Sequence, residues 1–151
     1  MCEFFSEDSD SSHPKDRRAT NGAPRATAVR DVKLVSITNA LASVAVKDLE
    51  SAVTWYESIF NRPPSRPMAE VAEWSFERGG WLQVYQLPER AGSGSFTLAV
   101  TSVEDQIAQL DKLNIDTSQR THGDRVKTVM ITDPDGNHIA FAEAIDTNLA
   151  H

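Results

Sequence analysis

Asp133-Pro134-Asp135-Gly136-Asn137 lies between the apolar runs Val129 to Ile131 and Ile139 to Ala142, and its composition is that of a tight turn. Proline presets the first turn dihedral, and glycine tolerates the positive φ that closes a hairpin. The stretch therefore predicts a β-hairpin near the C-terminus, with strands over Val126 to Thr132 and His138 to Glu143.

Upstream of this hairpin, Phe96 to Val100 forms a further apolar run, followed by Ser102 as a helix cap. Val103, Ile107, Leu110 and Leu113 then recur at helical spacing, and Asp105 places negative charge at the helix start. The same plan occurs earlier. Leu41 to Val46 predicts a buried strand, Asp48 a cap, and Leu49, Ala52, Val53, Tyr56 and Phe60 the buried stripe of a helix. That helix ends at Asn61-Arg62-Pro63-Pro64. Trp74 to Glu77 and Trp81 to Tyr85 flank Gly79-Gly80, which predicts another hairpin. Strand, helix and β-meander thus occur twice, as one βαβββ unit repeated along the chain.

The bulk properties bound the function. A chain of 151 residues, 40% hydrophobic, can bury one core but not two independent ones. The net charge of -7 and a pI near 5.0 argue against a phosphate-backbone binder, which normally shows a basic face, so nucleic acid is not an expected partner. The single cysteine, Cys2, can form no internal disulfide, and no apolar run approaches the ~20 residues of a membrane span. A cytoplasmic protein without a membrane partner is expected. Residues 1–33 are rich in Ser, Asp, Arg, Pro and Gly and read as a disordered extension. Residues 34–146 then form the single domain and 147–151 a C-terminal tail; His13 and His151 fall in the two tails.

The segment Val46 to Ala52 with Trp55-Tyr56, Leu98-Ala99-Val100 before a capped helix, and the Asp133 to Asn137 turn resemble the vicinal oxygen chelate superfamily. That superfamily includes glyoxalase I, bleomycin-resistance proteins, fosfomycin-resistance proteins and extradiol dioxygenases. The resemblance spans roughly residues 36 to 144 and implies an α+β fold. In it, two βαβββ modules form a curved mixed sheet, a half-barrel, with the helices outside. It also implies that enzymatic members hold a divalent metal through four inward-facing strand positions, which fall here at Leu41, Gln83, Ser95 and Ala140. Leucine and alanine cannot ligate a metal. Shifting the alignment by one residue brings in Ala40, Ala42, Phe96, Ile139 and Phe141, which are no better. No metal or other cofactor is therefore expected.

The remaining candidates for chemistry lie on the strands. Alternation places Trp81, Gln83 and Tyr85 on one face, with Trp74 and Phe76 on the hairpin partner. Trp74, Trp81, Gln83 and Tyr85 are expected to bind a small-molecule ligand, although the aromatics equally suit the core beneath the helix. His138 shares a face with Ala140 and Ala142 and is a fifth candidate, against the plainer reading of a polar residue after a turn. Glu143 faces the other way, Trp55 and Tyr56 are assigned to packing, and His122 to a loop beside Gly123 and Asp124. The resemblance implies a metal-independent binder like the bleomycin-resistance proteins. The alternative is an enzyme, a lyase, isomerase, transferase or dioxygenase, with a noncanonical metal site or with Glu77, His138 or Glu143 as acid or base. A homodimer is expected in either case.

Overall fold

The computed structural model describes residues 38–146; the expected extension over 1–33 and the tail over 147–151 lie outside them. The first module runs β1 (Leu41–Val46), α1 (Leu49–Phe60), β2 (Ser65–Met68), β3 (Val71–Ser75) and β4 (Trp81–Gln86). A short 3-10 turn at Pro88–Arg90 leads to the second module. This comprises β5 (Ser95–Ala99), α2 (Val103–Lys112), β6 (Gln119–His122), β7 (Val126–Thr132) and β8 (His138–Ala144). Each module makes a four-stranded mixed sheet, in the orders β1-β4-β3-β2 and β5-β8-β7-β6. The first strand of each module pairs parallel to its last, and the other pairs are antiparallel. The two βαβββ modules are thus those expected from the repeat, and their α+β architecture, with curved sheets and outer helices, is the one that the family resemblance implies.

The helices form where their caps predict. Asp48 is the N-cap of α1, its side chain accepting from the Ser51 amide at 2.8 Å, and Ser102 caps α2 by accepting from the Asp105 amide at 3.1 Å. Asn61 ends α1 in the left-handed conformation, with φ of 52°. Leu49, Ala52, Val53, Tyr56 and Ile59 turn inward from α1 and join Val44, Val46, Leu82 and Val84. Val103 and Leu110 do the same from α2, against Val129, Ile131, Ile139 and Phe141. Both sets belong to one continuous core on the helix side of the two sheets. Leu113, expected on the buried stripe of α2, instead lies at its C-cap and is 40% exposed. Helical phase is lost where the helix stops.

Two strands depart from the expectation. β2 and β6 are exposed at every position, and Pro67 lies within the first of them. Both are sheet edges, where no face is buried and alternation is not imposed. His122, read as a loop residue, therefore stands in β6 opposite Lys127. The first hairpin also starts earlier, with Val71–Ser75 as its strand and Phe76 at the turn, its amide donating to the Gly80 carbonyl at 2.8 Å.

The Asp133 to Asn137 turn is more than a reversal. Asn137 is fully buried, and its Oδ1 accepts from the amides of Gly92 at 3.0 Å and Gly94 at 2.8 Å. Its Nδ2 donates to the Ala45 carbonyl in β1 at 2.9 Å and to Asp133 Oδ2 at 2.8 Å. Asp133 Oδ2 also accepts from the Tyr56 hydroxyl of α1 at 2.9 Å, and Asp135 Oδ2 accepts from the Lys47 amide at 2.8 Å. Burial, followed by the charge of Asp133, pushes the Tyr56 phenol far above its ordinary pKa. Gly92 has φ of +84°, and a Cβ there would stand 2.4 Å from the Asp135 carbonyl oxygen. The turn of the second module is thereby bonded to the first strand and helix of the first, which holds β1 against β5.

Candidate functional site

With one face of each sheet committed to the helices, the concave faces remain for ligands. On β4, Trp81, Gln83 and Tyr85 alternate with the buried Leu82 and Val84 and are all half-buried. Their partners on the same face are Leu41, Ser43 and Ala45 of β1 and Ser75, Glu73 and Val71 of β3. Gln83 Nε2 donates to Glu73 Oε1 at 2.8 Å. The face thus presents an indole, an amide, a carboxylate and a phenol in adjacent registers. Glu73 was not among the residues singled out from sequence; counting back by twos from Ser75, which stands opposite Trp81, places it there.

Trp74 does not join them. It pairs with Leu82 across the hairpin and points to the helix side, where it is 1% exposed. Its ring centroid lies 5.9 Å from that of Tyr56 and 5.4 Å from that of Phe60, and its Nε1 donates to the Arg62 carbonyl at 3.0 Å. Trp74 is a core residue, because the alternation that exposes Trp81 opposite Ser75 buries its neighbour. His138 stands at the start of β8, exposed, opposite Ser95 of β5 and Thr132 of β7, on the concave face of the second sheet with Ala140 and Ala142. The fold therefore groups Trp81, Gln83 and Tyr85 on one sheet and sets His138 on the other.

The four positions that the family resemblance implies for metal ligands are occupied as follows. Leu41 is 51% exposed opposite Trp81, Gln83 is bonded to Glu73, Ser95 faces His138, and Ala140 faces Thr97. Two of the four side chains have no lone pair, and only an amide and a hydroxyl remain, so these residues do not fit a divalent ion. Among the described residues no group of three or more His, Cys, Asp or Glu side chains is placed to hold a metal.

The other acidic candidates are accounted for. Glu143 points to the helix side, where its Oε2 accepts from the Val103 amide at 2.9 Å and its Oε1 lies 3.9 Å from Lys127 Nζ. Glu77 is exposed in the first hairpin turn. Among the described residues, a cavity of about 120 Å³ lies beside Ile115, Met130 and Thr132, the last two on the same face of the second sheet as Ala140 and His138, and one of about 300 Å³ lies beside Glu57, Asn61 and Arg62. Neither is lined by Trp81, Gln83, Tyr85 or His138.

Residues 36–141 match the Glyoxalase/Bleomycin resistance protein/Dioxygenase superfamily, and the chain belongs to this family. Among solved structures it is similar to a glyoxalase/bleomycin resistance protein from Catenulispora acidiphila. The two are 31% identical, the match covers 70% of this chain and 97% of the other, and the TM-score is 0.63. TnmS3, an antibiotic binding protein from Streptomyces sp. CB03234, shares the fold at 20% identity, with coverage of 74% and 98% and a TM-score of 0.63. A lactoylglutathione lyase from Agrobacterium tumefaciens does so at 18% identity, with coverage of 73% and 95% and a TM-score of 0.60. A comparison with curated proteins finds no match.

Proposed function

We propose that this protein binds a small organic ligand on the concave face of its sheets and does so without a metal ion. The observation that carries the reading is a contrast on the concave face. Leu41 and Ala140, at two of the positions that the family resemblance implies for metal ligands, carry no donor atom, whereas Trp81, Gln83 and Tyr85 stand together on that face. Flat apolar surface with a few fixed polar groups is what orients an organic molecule. The shared fold of an antibiotic binding protein supports a binding role of this kind.

A homodimer is part of the same proposal. Leu41 and Met68 are 51% and 59% exposed, and a second copy would remove that apolar surface from water. A cytoplasmic location fits a chain with one cysteine and, among the described residues, no helix long and apolar enough to cross a membrane.

Elemental analysis of the purified protein tests the metal-free part: nickel, zinc, manganese and iron are expected well below one per chain. Stoichiometric metal retained through Gln83 or His138 contradicts it. A thermal-shift screen of planar aromatic compounds in EDTA tests the site, with Trp81→Ala and Gln83→Ala expected to abolish the stabilisation. A shift that survives both substitutions places the ligand elsewhere.

A further inference from the structure

Among the described residues, the strands β1, β3 and β4 bring one carboxylate and no lysine or arginine to the concave face of the first sheet. Glu73 stands opposite Gln83, and its diagonal neighbours on β4 are Trp81 and Tyr85, within reach of long and aromatic side chains. Gln83 occupies one carboxylate oxygen; the other, Oε2, accepts no hydrogen bond from the described residues. Glu73 also forms no ion pair among them. The β1 residues of this face, Leu41, Ser43 and Ala45, are uncharged. Arg66, on the edge strand β2, is engaged by Glu50 of α1 instead. On the second sheet the corresponding positions of β5 and β8 are small or hydroxylic apart from His138. The protein thus supplies no lysine or arginine from β1, β3, β4, β5 or β8 to either concave face.

A half-buried carboxylate held by one amide hydrogen bond favours a ligand that brings its own positive charge, because its free oxygen then gains a charge-assisted bond. The neighbouring rings act in the same direction, since the faces of tryptophan and tyrosine attract cations. An anionic ligand would meet Glu73 with no group on these strands to offset the repulsion. We infer that the ligand is a cationic aromatic molecule, a planar ring system bearing a protonated amine or amidine, and that Glu73 is the residue that selects its charge. The inference rests on the concave face being the ligand site.

The test compares two probes of similar shape and opposite charge, proflavine and 9-anthracenecarboxylate, by isothermal titration calorimetry on the full chain. Wild type is expected to bind proflavine at least about tenfold more tightly. Glu73→Gln keeps an acceptor for Gln83 and the side-chain shape, so the fold persists. It is expected to weaken proflavine binding about tenfold while leaving the anionic probe unchanged or tighter. Raising the salt concentration should weaken proflavine binding to wild type and have little effect in the variant. Trp81→Ala separates the two levels of the reading, because loss of the ring should weaken both probes. If Trp81→Ala weakens both but Glu73→Gln leaves the charge preference intact, the charge-selecting role is wrong and the ligand face stands. If Trp81→Ala affects neither probe, or neither probe binds wild type, the site itself is wrong and the inference falls with it.

Discussion

The Asn137 side chain makes four hydrogen bonds from a position with no solvent exposure, three to backbone groups of Ala45, Gly92 and Gly94 in other segments and one to the Asp133 carboxylate of its own turn. Removing the amide strands two amides, a carbonyl and part of the Asp133 carboxylate, so Asn137→Ala should lower unfolding stability by about 3 kcal/mol or more in urea denaturation. A variant that unfolds like wild type would show that the interlock is dispensable. Gly92→Ala should cost about 2 kcal/mol or more for a different reason, a left-handed φ combined with a Cβ driven into the Asp135 carbonyl. Tyr56 adds a pH dependence. Its folded pKa is raised, so the stability it contributes is complete below the unfolded value of about 10 and is lost as pH rises beyond it. Tyr56→Phe should be less stable than wild type at pH 8. Its further loss between pH 10 and 11 should be smaller, by up to about 1.4 kcal/mol, measured by urea denaturation at each pH. The turn type was legible from Pro134 and Gly136, but the interlock was not. Hydrogen bonds to Ala45, Gly92 and Tyr56 depend on how two modules meet, which local pattern does not encode.

At the scale of elements, α2 illustrates how a carboxylate that resembles a catalytic group serves the fold. Glu143 accepts from the first amide of the helix, Ser102 from the third, and Lys127 Nζ donates to Glu104 at 2.9 Å while lying near Glu143. The hydrogen bond from Lys127 holds the Glu104 carboxyl below its usual range and raises the Lys127 ammonium. Ser102→Ala should cost about 1 kcal/mol by loss of the cap. Glu143→Gln should lower stability without changing ligand affinity, which chemical denaturation and calorimetry on the same sample distinguish; a loss of affinity at unchanged stability would return Glu143 to the site. The helices and central strands were legible because caps and buried stripes impose their own periods. The edges β2 and β6 were not, since all eight of their residues are exposed and nothing selects alternation there. The start of β3 was missed for a related reason: taking Trp74 to Glu77 as the strand put Phe76 in the sheet rather than the turn, and left Glu73 outside it.

For the whole molecule, the duplicated module set the family and the family framed the site. Which strand positions share a face followed from alternation, so Trp81, Gln83 and Tyr85 were identifiable in advance as one face, as was His138 beside Ala140. Trp74 was misassigned because its facing depends on the hairpin register, Ser75 rather than Trp74 standing opposite Trp81. The functional account turns on whether the concave face binds without the ion that metal-dependent relatives of this fold use. Isothermal titration of the strongest ligand from the thermal-shift screen, with the protein dialysed against EDTA, tests this most directly. The account predicts the same affinity with and without the chelator and a loss of about tenfold or more in Trp81→Ala. Binding that disappears on chelation and returns when a divalent metal is added back would contradict it.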